Sequence, residues 1–572
     1  MHRSKHSPVR SVTTLVALLL AGLLIGACTP SAPQTVVETQ VVTEIQTQVV
    51  TEIQTQVVEV EVEVTAMPND EIPEGGTLIF GTNLAAEFPI NPVLATNRPA
   101  IWLFDTLVEL DAATLQPAPS LAASWEVSDD GTVYTFTLRD DVFWHDGEPF
   151  DADDVVFTFD AYMNDPDSRL ASTFTYDVGG ESIPMTVAKI DQSTVEFTLP
   201  APSSTFLTNL CCWNGIVPEH LLSGYERMSE AADFNENPVG TGVLIFEELR
   251  TQEYVRFTMN KDYWRGRPYL DGFIWLVLPD DDSQVTAMAN GEMDVMKNVN
   301  SVDIASRLSE IQGVTIYTTL GNFTHALFFN PVRFEPFADQ AVREAIAMAI
   351  DRPTIMNNVV GAPPADQIFH SGYWGFSPEA KTIPFDRQGA IDALAAAGWT
   401  DTDGDGIVDK DGQALSFVTM AERLVPAEAI QGYLAEVGID MQLNIVERAV
   451  RTEIQGTGEW DAYIGWDSAS DPFSALQNTW MSGNWTNYNN ADFDALVNAA
   501  DASTDGAERA SLVQDAVTML TADTPAVWLY YYTTRIAVSD NVRGLLIPGS
   551  TADFNNTGAF HHLEDLYMLE PK

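Results

Sequence analysis

A group of closely spaced aspartates offers the clearest set of metal ligands in the sequence. Asp401, Asp403, Asp405 and Asp409 occupy positions 1, 3, 5 and 9 of a loop with a glycine at position 6. Carboxylates at this spacing, with glycine at the sharp turn, suit Ca²⁺. Position 12 is Gly412, where a complete EF-hand has glutamate, so a full EF-hand is excluded. We expect either a structural Ca²⁺ in a surface loop or a solvated acidic turn, and catalysis from neither.

Residue patterns typical of enzymes do not accompany these aspartates. His145 and the pair His561-His562 have no nearby cysteine or glutamate at zinc-ligand spacing. The sequence has neither a Gly-x-Ser-x-Gly turn nor a phosphate-binding loop. We therefore expect a protein without catalytic residues, and no cofactor beyond the Ca²⁺ considered above.

The N-terminal segment is arranged like a secretory signal. Basic residues precede an apolar run from Val12 to Leu24. The run ends in Ile25-Gly26-Ala27-Cys28, which resembles a bacterial lipobox, in which the cysteine thiol carries diacylglycerol. A simple signal peptide with a chance cysteine, or an uncleaved membrane helix, is the alternative. No later stretch is long and apolar enough to cross a bilayer. We predict a signal peptide over 1–27 and an extracytoplasmic protein attached to the membrane through Cys28.

Two further cysteines are adjacent. If Cys28 is acylated in an oxidising compartment, Cys211 and Cys212 have only each other for intramolecular pairing. A vicinal disulfide beside Trp213 and two reduced, buried thiols are both open at this point.

Residues 28–74 have the composition of a tether. An octapeptide at Val41–Gln48 recurs at Val49–Gln56 and decays into alternating valine and glutamate over Val57–Val64. The spacing differs from a coiled-coil heptad. Because no basic residue occurs between Cys28 and Asn97, the segment repels itself. We expect an extended or disordered stalk, with a short β-ribbon or an oligomerising stalk as the alternative.

The overall charge excludes one class of partner. The chain has 28 Lys and Arg residues against 82 Asp and Glu, a net charge of −54. Such a surface repels nucleic acid, so we expect no nucleic-acid partner. The surplus suits solubility in a salty habitat, and an acidic cleft for a cationic ligand is the alternative.

Several segments read as the elements of an α/β fold. Strands are predicted at 75–81, 131–139, 439–445 and 460–466 from short apolar or alternating runs. A helix over 155–162 follows the N-cap pattern that begins at Asp151. Apolar residues at helical spacing over 341–350 predict another. Ligands of α/β lobes sit at the carboxyl ends of strands, so we expect the loop after Trp466 at a binding cleft.

A series of sequence blocks resembles one family. The chain is similar to the bacterial extracellular solute-binding proteins of family 5, which serve importers of dipeptides, oligopeptides and nickel. The blocks occur in the family's order, at Ala123–Gly131, Phe143–Gly147, Asn237–Gly242, Asn260–Gly266, Phe328–Asn330, Asp339–Ala345, Ala349–Arg352, Ala396–Trp399 and Gly465–Pro472.

The resemblance implies an architecture. It is the α/β, two-lobed periplasmic-binding-protein type II fold, with an extra subdomain in the first lobe and a hinge that closes over solute. Mapped onto this chain, the segments are lobe I at 75–110, 236–320 and 530–572, the subdomain at 111–235, and lobe II at 321–529.

The resemblance also points to a ligand site. In peptide-binding members, an aspartate three residues after the Gly-Trp tryptophan pairs with the ligand's α-ammonium, but that position here is Ala469. Counting back from Pro472 gives Ser468, because the loop is one residue shorter. Asp467 and Asp471 are the candidate substitutes, and helix capping is the alternative for Asp471. Further candidates for lining the site are Trp466, Glu87, Phe88, Tyr530 and Tyr532, each of which could instead pack in the core.

The function implied is capture of a solute and its delivery to ABC-transporter permease subunits. Oligopeptide is the expected ligand and the protein is expected to act as a monomer. Because Ala469 replaces the ammonium partner, the same scaffold binding an oligosaccharide, an opine or a chelated metal stays open. A surface sensor without a transport role is the third possibility.

Overall fold

The protein is described by a computed structural model. It describes residues 39–42, 58–61, 72–83, 89–95, 99–111, 116–297, 299, 301–356, 361–422, 424–468, 471–503, 505–545 and 562–572. Within these ranges, no helix is both long enough and apolar enough to span a bilayer.

The chain divides into two compact units, Met1–Glu71 and Ile72–Lys572. In the first unit, strand β1 (Thr39–Val42) pairs antiparallel with β2 (Val58–Glu61), and Thr39 lies opposite Glu61. The pair is a short ribbon, the form that the sequence left as an alternative for the tether. Cys28 and the predicted signal peptide lie outside the described residues.

The second unit begins with the elements that lie in the predicted first lobe and its predicted subdomain. In chain order they are β3 (Thr77–Thr82), α1 (Ala100–Leu103), β4 (Val108–Leu110), β5 (Pro117–Pro119), β6 (Ala122–Val127), β7 (Val133–Leu138), α2 (Ala152–Asn164), β8 (Thr175–Val178), β9 (Glu181–Pro184), β10 (Thr186–Asp191), β11 (Thr194–Thr198), α3 (Phe206–Asn209), α4 (Glu219–Leu222) and α5 (Ala232–Glu236).

The next elements complete the first lobe and lead into the second. They are β12 (Leu244–Arg250), β13 (Tyr254–Met259), β14 (Gly272–Val277), α6 (Asp281–Asn290), β15 (Val295–Met296), α7 (Val302–Ser309), β16 (Val314–Phe329), α8 (Gln340–Ala349) and α9 (Arg352–Ile355).

The remaining elements lie in the predicted second lobe and in the predicted last segment of the first. They are α10 (Arg387–Ala396), β17 (Asp409–Lys410), β18 (Gln413–Ala414), β19 (Ser416–Ala421), α11 (Leu424–Ala435), β20 (Asp440–Ile445), α12 (Arg448–Thr457), β21 (Ala462–Ser468), α13 (Pro472–Ala475), a π-helical turn (Leu476–Trp480), α14 (Ala491–Ala502), α15 (Gly506–Asp523), β22 (Ala526–Ser539), β23 (Val542–Arg543) and β24 (Tyr567–Met568).

One sheet of ten strands runs through this unit, in the order β12-β13-β14-β3-β15-β22-β16-β21-β19-β20. Its two long central strands, β16 and β22, pair antiparallel from Val314 opposite Ser539 to Phe328 opposite Ala526. On one side of them β3 pairs parallel with β14 and β15, and on the other β19 pairs parallel with β20 and β21. The two central strands therefore connect the two halves of the sheet.

The hydrophobic cores follow the same division. Phe80, Phe136 and Trp275 belong to a core that also includes Ile536 and Val538 near the end of β22. The first residues of β22, Val527 and Leu529, belong instead to a core with Leu327 of β16 and the α8 stripe. One strand thus contributes to the cores of both lobes, which ties the lobes together through the backbone.

The subdomain contains a four-stranded antiparallel sheet, β10-β11-β7-β6. Helix α2 begins with the capping box that the sequence predicts: Asp151 accepts from the backbone N–H of Asp153 at 2.8 Å, and Asp154 accepts from that of Asp151 at 3.1 Å. These acceptors satisfy N–H groups that the helix leaves unpaired. The helix extends to Asn164, two residues past the predicted end.

Residues of two resembling blocks, Phe143–Gly147 and Asn237–Gly242, meet at one junction. The Nε2 atom of His145 lies 2.9 Å from the carbonyl oxygen of Gly242, and its Nδ1 atom accepts from the N–H of Gly240 at 3.1 Å. A Cβ atom at Gly240 would lie 1.8 Å from the carbonyl oxygen of Leu103, so a larger residue would push this junction apart. The histidine therefore holds the two segments together in its neutral form.

Asp105 anchors the other side of this junction. Its buried carboxylate accepts from the hydroxyls of Thr241 at 3.0 Å and Tyr263 at 2.8 Å, and from the indole N–H of Trp264 at 2.9 Å. Burial raises the pKa of Asp105, although these donors oppose the rise. A buried carboxylate with three donors specifies one arrangement of the segments around it.

His145 makes the stability of the fold depend on pH. Burial lowers the pKa of His145 to about 4, against 6.5 for an exposed histidine, and the contact with Gly242 opposes this shift only in part. The unfolded chain therefore binds more protons between these values, so the stabilisation present above pH 6.5 is lost as pH falls toward 4. For one such histidine the loss between pH 6.5 and 5 is about 1.5 kcal/mol.

We predict that H145Q flattens this dependence. Urea unfolding at pH 6.5 and pH 5 should show a smaller difference in the free energy of unfolding for H145Q than for the parent protein. H220Q is the matched control, because the imidazole of His220 pairs with Asp146 at a more exposed position. If H145Q retains the full pH dependence of the parent, the buried neutral state of His145 is not the cause.

Candidate functional site

Three ring side chains form a row across adjacent strands of the large sheet. His325 of β16 lies opposite Trp466 of β21 on one side and opposite Tyr530 of β22 on the other. The ring centroids of His325 and Tyr530 are 4.3 Å apart, with an interplanar angle of 8°. Those of His325 and Trp466 are 6.0 Å apart. The His325 and Trp466 rings are inclined at 58° to each other and are half-buried, whereas Tyr530 is only 5% exposed and packs in a hydrophobic core. The accessible part of the row is therefore formed by His325 and Trp466, on which planar or aliphatic groups can stack.

The alternation of β21 places this row on one face of the sheet. Asp467, the residue after Trp466, points to the opposite face and is buried. The strand contains Gly465 because a Cβ atom there would lie 1.9 Å from the ring of Tyr463. The Gly-Trp pair therefore lets the ring of Tyr463 cover the strand while the next residue carries the indole.

The row lies beside an irregularity in the central pairing. The register of β16 against β22 shifts between Leu320 and Thr324, and again between His325 and Ala326. Bulges of this kind redirect side chains and are frequent beside binding sites. Tyr532, the second predicted tyrosine, lies on β22 within this stretch and is half-buried. The structure therefore places Trp466 and Tyr530 on either side of His325, with Tyr532 two residues along β22 from Tyr530.

Two arginines of α12 lie over the indole of Trp466. The guanidinium carbon of Arg451 is 5.5 Å from the ring centroid and that of Arg448 is 5.8 Å away, both within cation–π range. Arg451 also pairs with Glu422 at 2.9 Å and donates to Gln455 at 2.7 Å. Both guanidinium groups thus bring positive charge close to the face of the indole.

Asp467 is held by donors of its own lobe. Its carboxylate accepts from the hydroxyl of Thr479 at 2.9 Å and from the indole N–H of Trp480 at 2.7 Å. The side chain is only 5% exposed. A ligand ammonium would have to reach it from the face opposite to the row. The role of Asp467 as ammonium partner stays a prediction. Its hydrogen bonds to Thr479 and Trp480 also give the carboxylate a structural role.

Asp471 has the capping role that the sequence offered as its alternative. It is the N-cap of α13, accepting from the backbone N–H of Phe473 at 2.8 Å. Both of its oxygens also accept from Arg509, at 2.9 and 3.0 Å. Burial raises the pKa of this carboxyl, and the Arg509 charge opposes the rise. Losing either partner would leave a buried charge unpaired, so this pair stabilises the loop.

The other predicted ligand-site residues are described only in part. Glu87, Phe88 and Ala469 lie outside the described residues. Ser468 ends β21, where its backbone pairs with Phe323. Their contribution to ligand binding stays a prediction.

The aspartate loop brings three of its four predicted ligand carboxylates close together. Asp401, Asp403 and Asp405 are exposed, and each offers an oxygen within 4.8 Å of the others. Asp409 instead accepts from the backbone N–H and the hydroxyl of Thr402, at 2.8 and 2.6 Å. These hydrogen bonds lower the pKa of Asp409. Three of the four predicted ligands therefore converge, while the fourth closes the loop.

The adjacent cysteines are joined to each other by a disulfide. Cys211 is buried, and Cys212 has a φ of 67°, the left-handed conformation that residues other than glycine seldom adopt. Of the two states that the sequence left open, the structure has the bonded one.

His325, Arg448 and Arg451 belong to this site but were not predicted from the sequence. His325 is a single histidine in a strand, which by itself carries no functional signal. The arginines had a usable signal, because Arg448 comes three residues after the end of β20 and so lies near the carboxyl end of a parallel strand.

The chain matches known relatives over most of its length. It is 28% identical over 520 residues to the oligopeptide-binding protein AppA of Bacillus subtilis, covering 87% of this chain and 91% of the relative. It is 26% identical to the dipeptide-binding protein of Escherichia coli, covering 82% and 92%. It is 27% identical to the heme-binding protein A of Haemophilus influenzae, covering 78% and 85%.

Solved structures share the fold. An ABC-transporter substrate-binding protein, CtaP of Listeria monocytogenes, superposes with a TM-score of 0.73 at 24% identity, covering 87% of this chain and all of that one. The AppA structure of Bacillus subtilis with a nonapeptide has a TM-score of 0.67, also at 24% identity, with the same coverage. The predicted two-lobed fold is confirmed. Because residues 116–490 match "Bacterial extracellular solute-binding proteins, family 5 Middle", the chain belongs to this family of ABC-transporter substrate-binding proteins.

Proposed function

We propose that the protein is a lipid-anchored receptor that captures oligopeptides between its lobes and delivers them to the permease of an ABC importer. The observation that carries the proposal is the row of Trp466, His325 and Tyr530 on β21 and the two central strands, β16 and β22. A ligand that rests on this row and also contacts the other lobe would favour the closed form through its binding energy.

The chemistry of the row suits peptides. Flat rings accept side chains of many shapes through apolar contact, while the adjacent arginines supply fixed charge. An extended peptide also offers backbone groups to a site built on strands. Relatives named for binding oligopeptides and dipeptides cover most of this chain, which supports the same ligand class here.

The ligand prediction concerns Trp466. In isothermal titration calorimetry, W466A should weaken binding of alanine peptides of two to five residues by at least about tenfold, because an aromatic anchor contributes roughly 2 kcal/mol or more. W125A is the matched control, because Trp125 is also half-buried but lies on β6 of the subdomain. Equal affinity of W466A and the parent protein would remove the row from the binding site.

A thermal-shift screen separates peptide from the other ligand classes. Peptides should raise the melting temperature, since a ligand that binds only the folded chain stabilises it. If peptides give no shift and an oligosaccharide, an opine or a metal chelate does, the scaffold serves another solute. If none of them does, the sensor role becomes the stronger interpretation.

The anchor prediction concerns Cys28. We expect the parent protein to incorporate radiolabelled palmitate in cells and to partition with membranes. C28S should lose the label and be released, because the thiol is the acceptor of the lipid. C212S is a control that removes a cysteine outside the signal. Unlabelled parent protein, or a C28S variant that stays on the membrane, would contradict the anchor.

We also propose that the aspartate loop binds Ca²⁺. Its three converging carboxylates supply oxygen ligands of the kind that Ca²⁺ prefers, and their charge would be neutralised on binding. Millimolar Ca²⁺ should raise the melting temperature by a few degrees relative to chelator. D403N should abolish the shift, whereas D411N should keep it. If the parent protein has the same melting temperature with chelator as with Ca²⁺, the loop does not bind the ion.

A further inference from the structure

A hydrogen-bonded contact between Ser204 and Asp501 joins two distant parts of the chain. The hydroxyl of Ser204 donates to Oδ1 of Asp501 at 3.0 Å, and the backbone N–H of Ser204 donates to the same oxygen at 3.4 Å. Both residues are half-buried. They are 297 positions apart in the sequence, so the contact is made by the tertiary fold alone.

Each residue of the contact is held by a different hydrophobic core. Ser204 lies two residues before Phe206 of α3, whose ring packs on that of Phe197 in the predicted subdomain, with centroids 5.6 Å apart. Asp501 follows Ala500 of α14, which is buried in a core of the predicted second lobe. The Ser204–Asp501 contact therefore links the predicted subdomain to the predicted second lobe at a place outside the central strand pair.

The position of Asp501 favours donors that come from outside its own helix. It lies in the last turn of α14, where the helix dipole disfavours a negative charge. Within the described part of the chain Asp501 makes no ion pair, and Ser204 occupies only one of its two oxygens. Donors from the predicted subdomain therefore stabilise a charge that α14 itself does not.

A second donor lies near this carboxylate. The hydroxyl of Tyr176, on β8 of the predicted subdomain, is buried and has no hydrogen bond of good geometry within the described ranges. Burial raises the pKa of Tyr176, and the nearby charge of Asp501 adds to the rise, so the hydroxyl keeps its proton. A closer approach of α14 would let this hydroxyl donate to the second oxygen of Asp501, as a buried polar group requires.

These contacts favour closure of the lobes. We propose that Asp501 holds the second lobe against the subdomain through Ser204, and in the fully closed form through Tyr176 as well, so that the receptor contributes to its own closure. A receptor whose closed form is more populated binds its solute more tightly, because less of the binding energy goes into closing the lobes. The inference depends on the two-lobed fold and applies to any solute held between the lobes.

The contact is separate from the ring row. Ser204 and Asp501 lie outside the ten-stranded sheet, whereas Trp466, His325 and Tyr530 lie on three of its strands. Replacing Ser204 or Asp501 should therefore change the balance between open and closed forms and leave the rings in place.

Small-angle X-ray scattering of the full chain without solute tests the contact directly. S204A removes the hydroxyl donor and D501A removes the acceptor, so both variants should populate more of the open form and have a larger radius of gyration than the parent protein. The tether is the same in every protein compared, so the difference reports on the lobes. Melting curves that match the parent show that the variants are folded.

A second serine provides the matched control. Ser416 also donates to a carboxylate, that of Asp440, at 2.6 Å, but the two residues lie opposite each other on the neighbouring strands β19 and β20. S416A therefore removes the same kind of hydrogen bond within one lobe. It should scatter like the parent protein.

Isothermal titration calorimetry with an alanine tetrapeptide measures the consequence for binding, and this arm rests on the proposed peptide function. S204A and D501A should weaken binding by about threefold to tenfold, the effect of one hydrogen bond to a charged group at a partly exposed position. S416A should bind like the parent. Y176F should leave the scattering of the free protein unchanged and weaken binding by about twofold to threefold, because Tyr176 gains its partner only on full closure.

The outcomes separate this inference from the proposed function. If the parent protein does not bind the peptide but S204A and D501A still scatter as more open forms, the peptide function is overturned and the role of the contact is supported. If both variants scatter like the parent, the contact does not hold the lobes together, whether or not the peptide binds. Variants that open but bind the peptide as tightly as the parent contradict the link between closure and affinity. Parent-like binding by Y176F removes Tyr176 from the contact.

Discussion

The antiparallel pairing of β16 with β22 is the constraint on which the rest of the structure depends. These strands lie in the middle of the ten-stranded sheet, and each lobe builds its own strands outward from them. The residues of β22 divide between two hydrophobic cores, so neither lobe can be displaced without bending this pair. The register of the pair shifts where the chain passes between lobes, and a ladder with interrupted hydrogen bonds bends there more easily than elsewhere. On the proposed function, closure over a solute would bend these two strands and leave the cores packed.

The same pair of strands carries the ligand platform. His325 and Tyr530 come from the central strands themselves, and β21 adds Trp466 beside them. The nearby carboxylates have partners within the protein. Asp467 accepts hydrogen bonds from Thr479 and Trp480, and Asp471 caps α13 and pairs with Arg509. Two arginines of α12, Arg448 and Arg451, lie over the indole of Trp466 instead. The candidate site thus combines aromatic rings with positive charge, which suits the proposed capture of peptides with many different side chains.

Local patterns predicted much of this fold, and long-range contacts account for what they missed. The α2 start at Asp151, the buried stripe of α8 and the strand that contains Trp466 all follow from spacing within one element, although that strand continues two residues past its predicted end to Ser468. The capping of α13 by Asp471 is local as well. In contrast, the direction of Asp467 depends on donors 12 and 13 residues away, and His325 joins the site through a partner strand 141 positions further along the chain. Spacing within one segment carries no information about such neighbours.

The central claim is that a peptide is held on the row of Trp466, His325 and Tyr530 between closed lobes. A crystal structure of the protein with a bound alanine tetrapeptide tests it most directly. The account predicts that the peptide lies between the lobes and packs on the indole of Trp466. A peptide bound elsewhere, with Trp466 and His325 uncovered, would contradict it.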